Sequence, residues 1–229
     1  MREPAAMPLR PGVLWSRQAE GAEIRFVGTG APEGTRDLLA REHSPRPALA
    51  WLKQIHSATV HSAVAGLGGE GDALWTQKKN LALCIYTADC LPVLLAGRET
   101  VAAAHAGWRG VVGGILPNTV RALPEDPRTL SAWIGPAIGP CCFEVGDEVA
   151  LEIAQATDPS VILPGKKDRP HVDLWRGAEI QLRELGVSRI ETLRLCTFCQ
   201  ASRLHSYRRQ GPGQGRNRAL IWRTAEEAP

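Results

Sequence analysis

Leu81-Ala82-Leu83-Cys84-Ile85-Tyr86-Thr87-Ala88-Asp89-Cys90-Leu91-Pro92-Val93-Leu94-Leu95, followed by Val101-Ala102-Ala103-Ala104-His105-Ala106-Gly107-Trp108-Arg109-Gly110, carries the information that decides the fold. Residues 81–86, 92–95 and 101–105 are short apolar runs, rich in β-formers or Ala and bounded by Asp, Pro and Gly. Runs of that length between turn residues read as buried strands. Helical spacing then takes over through Val111, Ile115 and Val120. Pro117 lies inside that pattern, which predicts a kink near Gly113-Gly114 or a restart at Pro117.

Outward from this centre, strands are predicted at 23–27, 131–134, 189–195 and 219–222, with extended segments at 49–55 and 59–64. Helices are predicted at 37–42 and 147–156, and from an Asp173 N-cap through Leu174, Ala178, Leu182 and Leu185 to a stop at Gly186. Gly66-Leu67-Gly68-Gly69-Glu70-Gly71 reads as a flexible loop, and the Pro-rich residues 1–20 as an irregular segment. With no repeat and no low-complexity linker, residues 21–229 are expected to form one domain with mixed sheets and several helices.

The bulk properties narrow the function classes. The 229 residues carry a net charge of +3 and 44% hydrophobic residues, an ordinary globular balance. No run is polybasic enough for a nucleic-acid arm, so no nucleic-acid partner is expected. No stretch approaches the roughly 18–20 apolar residues of a membrane span, and the N-terminus lacks the apolar core of a secretion signal. Six Cys without such a signal point to reduced thiols in a cytoplasmic protein.

Three residues stand out chemically: His56, Cys90 and His105. Two imidazoles and a thiolate form a three-ligand set for a borderline-soft cation, with a fourth place left for water or substrate. His105 sits where a strand enters a Gly-rich turn and a helix, whose N-terminus, with Arg109, offers donors to an anion. A surface ion pair is the alternative reading of Arg109. Asp89 either orients a ligand His as an outer carboxylate or caps its turn. Cys141-Cys142 and Cys196-Thr197-Phe198-Cys199 read as buried or incidental thiols, because no second C-x-x-C or H-x-x-x-H follows at metal-site spacing. One metal site is therefore expected. The signatures of nucleobase zinc deaminases, of dinucleotide-binding folds and of Walker A loops are all missing.

Several motifs together resemble the YfiH (DUF152) family, also labelled multicopper polyphenol oxidoreductase or laccase-domain proteins. They are Lys53-Gln54-Ile55-His56, Gly71-Asp72-Ala73-Leu74, Thr87-Ala88-Asp89-Cys90-Leu91-Pro92 and Ala104-His105-Ala106-Gly107-Trp108-Arg109-Gly110, then Ile134-Gly135-Pro136 through Cys141-Cys142-Phe143-Glu144-Val145, Asp173-Leu174-Trp175, Cys196-Thr197-Phe198-Cys199 and Ser206-Tyr207-Arg208-Arg209. The resemblance implies a mixed α/β (α+β) fold, a single-domain layered sandwich of mixed β-sheets with flanking helices. It implies that His56, Cys90 and His105 are catalytic metal ligands, for zinc first and copper second. It also implies phosphorolysis of purine nucleosides (adenosine, inosine, guanosine, methylthioadenosine), with adenosine deamination, by a monomer or homodimer. Arg109, Tyr207 and Arg208 are the candidates for holding substrate and phosphate. The family's N-terminal Phe-Ser-Thr-Arg region has no clear counterpart here; Phe26-Val27-Gly28-Thr29-Gly30 stands in its place.

Two other functions fit the same residues. One is a hydrolase editing the wall precursor UDP-MurNAc-L-Ser, with Cys90 as nucleophile and His105 as base. The other is a non-catalytic, metal-stabilised partner-binding domain. Laccase chemistry fits less well: a blue-copper site takes a weak axial ligand, often Met, and the only Met residues are Met1 and Met7.

Overall fold

The computed structural model describes residues 12–31, 34, 35, 39, 46–165 and 169–224. Two six-stranded mixed sheets dominate it. The first contains β1 (Val13–Ala19), β2 (Ala22–Val27), β3 (Ala48–Lys53), β5 (Gly66–Glu70), β7 (Leu81–Thr87) and β14 (Asn217–Arg223), in the order β1-β2-β14-β7-β3-β5. The second contains β4 (Val60–Ser62), β6 (Ala73–Thr76), β8 (Leu91–Ala96), β9 (Val101–Ala106), β10 (Ser131–Ile134) and β13 (Arg189–Thr192), in the order β13-β10-β8-β9-β6-β4. A two-stranded ribbon pairs β11 (Ile162–Leu163) with β12 (His171–Val172). The α-helices described in full are α1 (Trp108–Val112), α2 (Ile115–Ala122), α3 (Asp147–Ala156), α4 (Leu174–Glu184) and α5 (Tyr207–Gln210).

The two-residue period of the strands explains the layering. On β7 and β14, Leu83, Ile85, Ala219 and Ile221 face a core shared with Leu94, Val101 and Ala103 of the second sheet. Their neighbours Ala82, Cys84, Leu220 and Trp222 pack on the outer side of the first sheet. On β8 and β9, Val93, Leu95, Ala102 and Ala104 turn to the opposite face and meet Ile115, Val120, Ile153 and Leu182 of α2, α3 and α4. The central strands are thus covered on both faces, which is why they read as continuous apolar runs rather than alternating ones. The expected layered sandwich with flanking helices is the observed architecture.

Three expectations are corrected or refined. Residues 13–19 are not irregular: they form β1, hairpinned to β2 through Glu20 (φ 52°) and Gly21 (φ 67°). Positive φ at both central residues is what a two-residue type I′ turn requires. The glycine-rich 66–70 segment is a strand, because parallel pairing with β3 overrides its weak strand propensity. The break near Gly113-Gly114 occurs, and the second helix restarts at Ile115, with Gly114 at φ 82°. Pro117 then sits in the first turn, where it costs no intrahelical hydrogen bond. The helix expected at 37–42 falls outside the described residues except for Leu39, which is buried. Residues 1–11 also lie outside them. Among the described residues, no helix is long and apolar enough to cross a membrane.

Candidate functional site

The seam between the two sheets, at one end, brings the three expected ligands together. His56 follows β3 of the first sheet. Cys90 lies on the short crossing from β7 in the first sheet to β8 in the second. His105 is on β9, in step with Val101 and Ala103, which face the first sheet. One ligand atom from each of His56, Cys90 and His105 falls within 4.8 Å of the others. Cys90 Sγ is 3.8 Å from His56 Nε2, and the two imidazole rings meet edge-to-face at 4.9 Å between centroids. His105 is buried, Cys90 half-buried and His56 exposed, so the trio is anchored on one side and open on the other.

The backbone around the trio is held in uncommon conformations. His56 has φ 60° and Asp89 has φ 87°, both in the left-handed region that few non-glycine residues occupy. For His56 the constraint is Asp72. This fully buried carboxylate accepts hydrogen bonds from the backbone N–H groups of Ile55 (3.3 Å), His56 (3.0 Å) and Ser57 (2.6 Å). It also accepts from the Ser57 hydroxyl at 2.7 Å and lies 2.8 Å from His105 Nδ1. One side chain therefore fixes the loop carrying His56 and the ring of His105. The Nδ1–H of His105 is committed to Asp72, which leaves Nε2 free as a ligand, the usual arrangement of a carboxylate behind a metal-binding His. The sequence alone assigns Asp72 no role. Its one local signal is an acidic residue opening an apolar strand, in Gly71-Asp72-Ala73-Leu74.

Asp89 does not orient a ligand His. Its carboxylate accepts from the Thr197 hydroxyl and, at 2.6 Å, from the backbone N–H of Arg208. Gly107 keeps the trio accessible: a Cβ there would lie 3.1 Å from Cys90 Sγ and 3.2 Å from the His56 ring.

The electrostatics suit a ligand set. Burial pushes the Cys90 thiol up, but hydrogen bonds to His105 and His56 outweigh it and bring the pKa down to about 6. Burial pushes His105 down, yet its bonds to Asp72 and Cys90 carry it up to about 9. Asp72 is driven up by desolvation but ends well below the carboxylate range, because His105 and Ser57 donate to it. In metal-free protein, Cys90 is therefore expected to remain a thiolate down to about pH 6. Alkylation of Cys90, followed against pH by peptide mass spectrometry, should show its midpoint there. A midpoint near the ordinary thiol value of 9 would contradict the assignment.

The phosphate candidates are less concentrated. Arg109 is exposed, with its guanidinium 4.5 Å from the Trp108 ring centroid, and α1 spans only five residues. The Arg208 side chain donates to the carbonyls of Cys142 (3.4 Å) and Glu144 (3.1 Å), while Tyr207 is exposed. These contacts hold backbone and do not aim Arg208 at the trio.

Residues 32–224 match the family model described as multi-copper polyphenol oxidoreductase laccase. The chain belongs to that family. A Pseudomonas aeruginosa family member named as a purine nucleoside phosphorylase is 41% identical over 197 residues, covering 84% of this chain and 80% of that protein. The Escherichia coli purine nucleoside phosphorylase YfiH is 36% identical over 200 residues, covering 83% and 79%. Among solved structures, a Neisseria meningitidis family member superposes with a TM-score of 0.82 at 28% identity, covering 93% of this chain and all of the other. Geobacillus stearothermophilus YlmD superposes with a TM-score of 0.77 at 26% identity, covering 90% and 93%. The laccase-family fold thus frames the His56, Cys90 and His105 trio.

Proposed function

We propose that this protein is a purine nucleoside phosphorylase whose active site is the His56, Cys90 and His105 trio loaded with one zinc ion. The observation that carries this reading is the Asp72-oriented trio, open on one side, in a chain 36–41% identical to proteins named as purine nucleoside phosphorylases. The donor set fits zinc: a low-pKa thiolate, one imidazole with Nδ1 tied off, and a second imidazole from a separate loop. Copper remains the second candidate. Multicopper chemistry is not favoured, because the described residues hold one His-containing ligand cluster. When bound, zinc would supply Lewis-acid polarisation at one open coordination place.

The chain's own residues then have defined tasks. Asp72 fixes the His105 tautomer and the 55–57 loop. Gly107 leaves room beside Cys90 for a substrate. Arg109, four residues after His105 and stacked on Trp108, is the residue to which this reading assigns the phosphate. In the reaction, a phosphate oxygen attacks the ribose C1′ and the bond from C1′ to the purine nitrogen breaks. The base leaves with a proton, giving ribose 1-phosphate. Adenosine deamination at the same site consumes water and releases ammonia. The substrate is a small molecule and the protein is expected to act in the cytoplasm.

The test is base release from inosine, adenosine, guanosine and methylthioadenosine with and without inorganic phosphate, alongside serine release from UDP-MurNAc-L-Ser. Phosphate-dependent base release supports the proposal. Serine release would favour the wall-precursor hydrolase, for which the Cys90 thiolate beside His105 would serve as nucleophile and base. No turnover on any substrate would leave a binding domain. Arg109→Ala is expected to lose one charge-assisted bond of roughly 1.5–3 kcal/mol, or about 10- to 100-fold in phosphate-dependent kcat/KM. Arg109→Lys should recover only part, since an ammonium lacks the bidentate fork. Deamination should suffer less. Equal loss of both activities with the metal intact would assign Arg109 to the nucleoside or to structure.

A further inference from the structure

Cys141, Cys142, Cys196 and Cys199, which read from the sequence as incidental thiols, converge in the fold. Their four sulfurs all lie within 4.8 Å of one another. Cys199 Sγ is 3.4 Å from Cys142 Sγ and 3.7 Å from Cys141 Sγ. A tetrahedron of thiolates at about 2.3 Å from a zinc ion has sulfur–sulfur edges of about 3.8 Å. The quartet is therefore close to the size of an S₄ cage before any ion is placed in it. The partner pair that the C-x-x-C seemed to lack is the adjacent Cys141-Cys142, on a separate loop 54 residues away from Cys196 at its nearest member.

In the metal-free cluster burial pushes the Cys141 thiol up to about 11, and one of the four sulfurs, that of Cys196, has a backbone donor. The Gly139 N–H donates to Cys196 Sγ at 3.3 Å. Gly139 is confined there, since a Cβ would meet the Trp175 ring at 3.0 Å and Cys196 Cβ at 3.2 Å. Two guanidinium groups clamp the loops from outside. Arg208 donates to the Cys142 and Glu144 carbonyls, and Arg209 donates to the Thr197 and Phe198 carbonyls, each at 2.7 Å. Arg208 and Arg209 thus brace the two cysteine loops through their backbone carbonyls.

We propose that Cys141, Cys142, Cys196 and Cys199 form a second, closed metal site for a soft d¹⁰ cation, zinc in the first instance. Its role is structural. It ties the 139–143 turn to the 196–200 turn, and Thr197 in the latter holds Asp89 beside Cys90. The cation replaces four thiol protons, which pass to solvent, and no oxidant is involved.

Protein purified with zinc under reducing conditions is expected to carry about two zinc ions per chain, one per site. X-ray absorption should find an average of between two and three sulfur neighbours per zinc, the mean of an S₄ and an SN₂ site. His105→Ala protein should keep one zinc with sulfur-only coordination, and Cys196→Ser/Cys199→Ser protein should lose that zinc alone. Wild-type protein holding a single zinc while all four quartet thiols alkylate freely in the native state would overturn the proposal. A native disulfide between Cys142 and Cys199 under the same conditions, or nitrogen and oxygen ligands around the zinc of His105→Ala, would overturn it equally. Because the wild-type measurements need no substitution, misfolding of a variant does not blunt the test. Loss of phosphorolysis with both zincs present would count against the proposed activity and leave this site standing.

Discussion

Cys90→Ser, His56→Ala and His105→Ala are each expected to strip one equivalent of metal from the purified protein and to abolish phosphorolysis. The loss in kcat/KM should exceed the roughly 10- to 100-fold that removal of an outer partner of a metal ligand costs. Cys90→Ser should be the most informative. It conserves size and leaves a hydroxyl where the low-pKa thiolate stood, so the change is in ligand chemistry and not in packing. Secondary structure should be unaffected in that variant, since Cys90 lies on a connection and not in a strand. Metal analysis beside steady-state kinetics makes the check. Undiminished metal in all three variants would exclude the trio as ligands.

Asp72→Asn is expected to be the most damaging change that touches no metal ligand directly. The carboxylate accepts three backbone N–H groups and a hydroxyl as well as facing His105. An amide offers one acceptor oxygen and turns two donors toward groups that are already donors. Breaking a buried charged pair by changing one partner costs on the order of 3 kcal/mol, and metal affinity should fall roughly 10- to 100-fold. The pH dependence has a defined sign. The folded-state carboxyl lies far below its ordinary 3.8, so its contribution is fully present above that pH and is lost as the solution becomes more acidic. The stability gap between wild type and Asp72→Asn, read from denaturant unfolding, should therefore be wide at neutral pH and close in acid. A gap that stays constant into acid would mean that packing, and not charge, is what the substitution disturbs.

Sequence patterns reveal what is periodic and local. The central strands, the Gly113-Gly114 break and the Asp173-to-Gly186 helix each follow from a few neighbouring residues, and each is found within a residue or two of its expected place. The trio is visible because each member lies in or directly beside an unusual turn. What stays hidden depends on distant pairing. Asp72 meets Ile55, His56 and Ser57 only once β5 has run parallel to β3, and β5 itself is disguised by Gly66, Gly68 and Gly69. The four-cysteine cluster is hidden for the same reason, since the bridge between Ala137 and Cys196 that aligns its two loops joins residues far apart in the chain. β1 escaped because the prolines before it suggested irregularity, whereas its register is set by the turn after it.

The position of Cys90 on the link between two layers has a mechanical side. The chain passes from one sheet to the other in the few residues that separate Thr87 from Leu91, and ligands from both layers meet at that point. A cation held there as proposed would act as a rivet through the end of a two-ply sheet. Separating the plies at that end would then also break the ion's bonds to residues of both layers. Under the proposed loading, the free energy of chelation would be returned as resistance to peeling.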